Sequence, residues 1–210
     1  MQEHVDFVYK KRLEKVKRAL EARAMEAYVL DSAGEVVPLL QTLLPPGGTV
    51  SNGGSATLNE CGAMELLRSG AYTFLDREAP GVDRQALYRQ VFSADAYLAS
   101  ANAITDAGEI YQIDGQGNRV AALVFGPQLV VLVAGRNKIV TDLDAARRRR
   151  AELAAPANTH RLGLPLPCGV TGTCSDCKSP GRICCSELVM YHQQQPGRVK
   201  VILVNEELGF

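Results

Sequence analysis

With 23 Lys plus Arg against 23 Asp plus Glu, this chain of 210 residues has no formal net charge and no global positive field to draw it onto phosphate backbones. Its 46% apolar and 22% charged residues, with 19 Gly and 10 Pro, are the composition of a folded globule whose core needs no disulfide support. The longest apolar run, near Leu129 to Ala134, is too short to cross a bilayer, and the charged stretch Lys10 to Arg18 is not a signal-peptide core. These features predict a cytoplasmic protein with no membrane insertion and no nucleic-acid binding.

Val5, Val8, Leu13, Val16 and Leu20 recur near helical spacing, with lysines on the other face, which predicts a surface-packed helix over about 5–26. Tyr28 to Leu30 reads as a short buried strand. Ser32 with Glu35 then has the spacing of a capping box for a helix reaching about Leu43, ended by Pro45-Pro46-Gly47-Gly48. Thr49 to Ser51 is a strand and Asn52 to Ser55 a tight turn, after which Thr57 with Glu60 predicts a second capping box opening a helix to Arg68. Tyr72 to Leu75 and Tyr97 to Ala99 are further strands, with an Asp83-capped helix between them. This alternation predicts an α/β fold with a mostly parallel sheet covered on both faces.

The Asp106-Ala107-Gly108 turn between Ala103 to Thr105 and Glu109 to Ile113 signals a hairpin, so the sheet is expected to be mixed. A helix over 119–125 follows a second glycine turn, and Leu129 to Ala134, apolar on both faces, is expected at the sheet centre. Thr141 is expected to cap a helix over 142–154, on which Arg147 to Arg150 form a solvated face. From Ala155 prolines and cysteines replace periodicity, until Glu187 to Tyr191 and Val199 to Val204 resume as strands. The expectation is one domain over 1–210, with a cysteine-rich insertion at about 164–186 that returns to the same sheet.

Five of the six cysteines crowd between Cys168 and Cys185, which in a reducing compartment argues against a disulfide framework. Cys168, Cys174, Cys177 and Cys184 are spaced C-x5-C-x2-C-x6-C, and such a set can hold Zn(II) or an iron–sulfur cluster. The irregular spacing leans toward iron–sulfur. A dithiol pair at Cys174 and Cys177, or free cysteines without a shared role, are the other readings. Cys185 is the fifth member, either a buried small hydrophobe or an alternate ligand, and His160 is a further ligand candidate.

Asn52, Gly53, Gly54 and Ser55 can present N–H and hydroxyl donors to an anion, or merely close a turn. Asn118 and Arg119 follow a strand exit, where α/β folds place ligands, and Arg119 could clamp a carboxylate or phosphate. Lys138 after the central strand is a similar candidate. Cys61 reads as a packing residue, and no Ser-His-Asp set or carboxylate pair supports a hydrolase.

Several blocks, in this order, resemble the lactate-utilization (LUD) domain family: Ser51-Asn52-Gly53-Gly54-Ser55-Ala56-Thr57-Leu58, Asn102-Ala103-Ile104-Thr105, Gly115-Gln116-Gly117-Asn118-Arg119-Val120-Ala121-Ala122, Phe125-Gly126-Pro127 and Gly135-Arg136-Asn137-Lys138-Ile139-Val140. The tail with Thr171-Gly172-Thr173-Cys174-Ser175-Asp176-Cys177, Pro180-Gly181-Arg182-Ile183-Cys184 and the final Val201 to Gly209 also resembles it. The resemblance implies the mixed α/β fold of the superfamily of ribose-5-phosphate isomerase, glucosamine-6-phosphate deaminase and CoA-transferase. It also implies work beside iron–sulfur partner proteins in oxidising L-lactate to pyruvate. The small lactate-operon subunit typically lacks this cysteine tail, so the chain resembles a separate, cysteine-tailed branch, with Cys185 where the pattern has Asn.

The leading expectation is an accessory or redox protein that binds a small anionic metabolite and carries a cysteine-ligated iron–sulfur centre, alternatively zinc. An enzyme acting on a sugar phosphate or CoA-linked acid and a non-catalytic assembly subunit are the competing expectations.

Overall fold

Ten strands sort into two sheets in the computed structural model, which describes residues 2–210. The first half runs α1 (Gln2–Glu21), β1 (Glu26–Leu30), α2 (Val36–Leu43), β2 (Thr49–Asn52), α3 (Ala56–Glu60), α4 (Ala63–Arg68), β3 (Thr73–Leu75), α5 (Arg84–Gln90) and β4 (Ala96–Ser100). Next come β5 (Ala103–Thr105), β6 (Ile110–Asp114), α6 (Asn118–Phe125), β7 (Leu129–Gly135) and β8 (Ile139–Val140). The chain ends with α7 (Leu143–Arg149), α8 (Ala155–Arg161), α9 (Pro167–Thr171), β9 (Ser186–Met190) and β10 (Val199–Val204).

The larger sheet has the order β1-β10-β7-β4-β2-β3, and every pairing in it is parallel. Side chains alternate across its central strands. Val130, Leu132 and Ala134 of β7 face a core shared with Leu13, Val16 and Leu20 of α1 and Leu123 of α6. Val131 and Val133 face the opposite core, with Leu40 of α2, Leu58 of α3 and Leu67 of α4. A strand buried on both faces must be apolar at every position, which is why this segment is legible from sequence.

The mixed character lies elsewhere than expected. The hairpin β5–β6 does not extend the large sheet; it joins β8 and β9 in a second sheet ordered β8-β5-β6-β9. The cysteine segment likewise returns to this second sheet, because β9 pairs antiparallel with β6 from Ser186 opposite Asp114 to Met190 opposite Ile110. Only β10 rejoins the large sheet, between β1 and β7. The hairpin turn is pinned against α1: Gly108 has a φ of 82°, and a Cβ there would lie 2.7 Å from the Ala19 backbone.

One predicted cap holds and one shifts. Glu35 does accept from the Ser32 N–H at 2.9 Å, but the turn it closes is a 3₁₀ turn (Ala33–Glu35) ahead of α2. The second helix is capped by Ser55, whose Oγ accepts from the Leu58 N–H at 3.2 Å, so Thr57 is free for another role. That helix also breaks at Gly62, which has a φ of 74°, giving α3 and α4 in place of one element.

The last helix differs most. Asp142, not Thr141, caps α7, and the helical path does not stop at Ala154. It passes through a π segment, Arg150–Ala154, into α8. Pro156 is buried near the start of α8, and the wider π turn upstream relieves the clash and missing donor that its ring imposes on an α-helix. Among the described residues no helix is long and apolar enough to cross a membrane.

Candidate functional site

Three adjacent strands of the large sheet, β7, β4 and β2, end beside one another, and their carboxyl ends carry Lys138, Ser100 and the Asn52 turn. Ligands of open α/β sheets bind at such ends. Here lies a cleft of about 70 Å³, lined by Gly54, Ser55, Ser100, Asn102, Arg119, Lys138, Asn158, Arg161, Ile183, Cys184 and Phe210 among others. Arg119, Lys138 and Arg161 are its charged side chains; among the described residues no Asp or Glu lines it. Such a wall selects anions.

Arg119 projects from the start of α6. Its Nη2 donates to Ile113 O at 2.6 Å and to Asn102 Oδ1 at 3.2 Å. Its Nε is buried without a hydrogen-bond partner, 3.9 Å from Asp114 Oδ2. Asp114 is engaged with the backbone, accepting from the N–H groups of Arg119 at 3.0 Å and Val120 at 3.2 Å. Arg149 donates to Asn102 O at 2.8 Å and Asn137 O at 3.0 Å, and its Nη2 is buried without a partner. Arg149 and Arg150 therefore turn inward, and the expected solvated basic face is only Arg147 and Arg148. The error has a simple origin, since four consecutive arginines cover every face of a helix and two of them must point in.

Lys138 is 3% exposed, and its Nζ donates to Thr57 Oγ1 at 2.7 Å and Ser100 Oγ at 2.8 Å. Burial pushes its pKa down to about 7, the charges of Arg149 and Arg119 push the same way, and Glu60 and Cys61 oppose them. Thr57 is buried and Ser100 closes β4, so this cluster joins three distant stretches of chain. Nothing in their local patterns marks those two hydroxyls, and sequence reasoning missed them.

Of the other predicted anion ligands, Gly54 and Ser55 line the cleft. Asn52 turns inward, with Nδ2 on Gly53 O at 3.0 Å. Gly53 donates its N–H to Leu98 O at 2.9 Å and lies beneath Arg119. Asn118 sits in the first turn of α6 outside the cleft lining.

All six cysteines are free thiols. Cys168, Cys174, Cys177 and Cys184 line one small cavity together with Thr159, Arg150 and Arg182. Cys168 starts in α9, Thr159 Oγ1 lies 3.4 Å from its Sγ, and Arg150 Nη1 donates to Cys174 Sγ at 3.6 Å. Arg150 Nε is buried without a partner. Arg182 clasps the loop by donating to Cys177 O at 2.7 Å and Cys184 O at 3.0 Å. Among the described residues no three His, Cys, Asp or Glu side chains are arranged to hold a metal ion. Cys185 points away, its Sγ donating to Arg182 O at 3.2 Å, and His160 lies outside the cysteine cavity. Cys61 is buried, and burial raises its thiol pKa, as a packing residue requires.

Ala155, Ile183 and Cys184 line both the cationic cleft and the cysteine cavity, so the two share a wall.

The model of the LUD domain family matches residues 13–204. No curated protein matches the chain. Among solved structures, a DUF162 family protein from Deinococcus radiodurans is similar at a TM-score of 0.56 and 16% identity, over 93% of this chain and 98% of that one. Ribose 5 phosphate isomerase A from Neisseria gonorrhoeae follows at a TM-score of 0.34 and 15% identity, over 62% of this chain and 56% of that one. A malonate decarboxylase alpha subunit from Acinetobacter baumannii has a TM-score of 0.38 and 14% identity, with 97% of this chain aligned to 39% of that one.

Proposed function

We propose, for a chain that belongs to the LUD domain family, a lactate-utilization-like role as an accessory or redox protein. The cleft would receive a small anionic metabolite, and the four thiols that line one cavity, which stand apart in this structure, would close on an iron–sulfur centre. The observation that carries this reading is the shared wall: Cys184 lines the cysteine cavity and the cationic cleft at once. The four sulfur donors suit iron–sulfur or zinc, and Asp176, which also lines the cavity, is paired with Arg182. Adjacency to a metabolite cleft gives the iron–sulfur form a task that a structural zinc would lack.

Arg119 and Arg161 would bind the anion, and the Nε of Arg119, buried without a hydrogen bond and with only the distant Asp114 carboxylate to balance it, supports this assignment. Cys168, Cys174, Cys177 and Cys184 would hold the centre, with Arg150 and Arg182 offsetting thiolate charge. Such a centre supplies one-electron transfer when bound, and a partner iron–sulfur protein in the cytoplasm would exchange those electrons.

Anaerobic purification followed by a visible spectrum and iron, zinc and sulfide analysis tests the centre. Iron with matching acid-labile sulfide is the expected result, and Cys177→Ser should lose at least half of it while Cys61→Ser keeps it. Equimolar zinc without iron overturns the redox reading, and equal loss in both variants overturns the ligand assignment.

A further inference from the structure

Lys138 has a property that anion binding alone does not use. It is buried at the cleft, and among the described residues no carboxylate lies within ion-pair distance of it. Among the described residues its Nζ hydrogen-bonds only to the hydroxyls of Thr57 and Ser100. The groups that bear on its charge are Arg149 from α7, Arg119 from α6, and Glu60 and Cys61 at the end of α3; burial and the two guanidiniums prevail, bringing its pKa to about 7. A substantial share of molecules therefore carries a neutral amine at neutral pH. With two N–H hydrogens committed to hydroxyl oxygens, the lone pair of that amine is left for whatever fills the cleft.

A desolvated amine is the side chain that adds to carbonyls. A cleft of about 70 Å³ walled by Arg119 and Arg161 admits a small carboxylate. We propose that Lys138 is a covalent site for a small oxo acid, whose carboxylate rests on Arg119 or Arg161 while its carbonyl carbon is attacked by Nζ. This deepens the anion-cleft reading and rests on it. The N–C bond forms as the carbonyl π pair moves to oxygen, and a proton passes from nitrogen to that oxygen with the Thr57 and Ser100 hydroxyls as relay. The carbinolamine then loses water to give the imine. No oxidant or reductant is consumed, and hydrolysis reverses the step.

The test incubates the anaerobically purified protein with glyoxylate, pyruvate or acetoacetate, adds sodium borohydride, and maps the peptides by mass spectrometry. The expected result is one reduced adduct per chain, on Lys138, with a yield that rises from pH 6 to pH 8. Lys138→Met should remove it, and Arg119→Gln should lower the pyruvate yield about tenfold and the yield with uncharged propanal by less, since propanal loses only the help that the guanidinium gives to deprotonating Lys138. The wild-type peptide map reads the site without any variant, so a variant that fails to fold leaves the result standing. No adduct on Lys138 between pH 6 and pH 9, or a yield no higher than on exposed surface lysines, overturns the proposal. Calorimetry with propionate, which has no ketone or aldehyde group, separates the two readings. Propionate binding without an adduct overturns the imine alone, and absence of both overturns the anion cleft with it.

Discussion

Gly53 lies under the stem of Arg119, where a Cβ would meet Arg119 Cδ at 3.0 Å and Tyr97 Oη at 3.1 Å. Tyr97 is buried, so the flexible arginine stem must give way. Gly53→Ala should therefore weaken propionate binding about tenfold, as expected for one lost charged hydrogen bond of about 1.5 kcal/mol. The urea midpoint should barely move. Calorimetry and urea unfolding together check both halves. Lys138 permits a second prediction. Its pKa is about 7 folded against 10.5 unfolded, so between those values the unfolded chain binds more protons and stability gains as pH rises. The gain relative to Lys138→Met should approach 1.4 kcal/mol per pH unit between pH 7 and pH 9. Urea unfolding of both proteins at three pH values measures it, and parallel curves would refute the buried, deprotonating lysine. Taking the difference matters because cysteines such as Cys61, with its raised pKa, pull the wild-type curve the other way.

At the scale of elements, the stretch from α7 to α8 decides whether the site forms. The π segment Arg150–Ala154 places Arg149 beside Asn102 and Arg150 beside Cys174 on one continuous helical path. Five residues in π geometry turn the path about as far as four in α geometry, so removing one would leave the flanking helices nearly in register, whereas adding one rotates them by about 100° relative to each other. Insertion of one alanine after Glu152, an exposed residue, should keep the far-ultraviolet circular dichroism of the wild type while at least halving both iron content and propionate affinity. Unchanged binding of either would show that the π turn is incidental. This element was also the least legible one. Prolines 156, 165 and 167 read as punctuation, yet Pro156 is carried inside the helical path because the π turn accommodates its ring. By contrast, β7 was legible because double burial writes itself as an unbroken apolar run. Arg119 and Lys138 were legible as charges at strand exits. The partners that set their chemistry, Asn102, Thr57 and Ser100, were not, because they arrive through strand order and no local spacing encodes it.

Across the whole molecule, the two sheets meet where the cysteine segment crosses from α8 to β9. The large sheet supplies the carboxyl ends under the cleft, and the second sheet anchors the far end of the cysteine segment through five residue pairs between β6 and β9. The Cys185 N–H reaches Asp114 O at 2.8 Å, and the Ile183 backbone lies so close to Gly115 that a Cβ there would be 3.3 Å away. The segment is thus held at its exit by β6 and along its length by Arg182. A metal centre in the cavity would tie the near end as well, and with it the Ile183 and Cys184 wall of the cleft. Stripping the metal should then raise amide hydrogen exchange over 166–184 by an order of magnitude or more, while β4, β7 and β10, buried on both faces, keep wild-type protection. Propionate affinity should fall about three- to tenfold in the same sample, because one wall of the cleft has loosened. Exchange over 166–184 that is unchanged after metal removal would separate the cysteine segment from the cleft and reduce the shared wall to a packing contact.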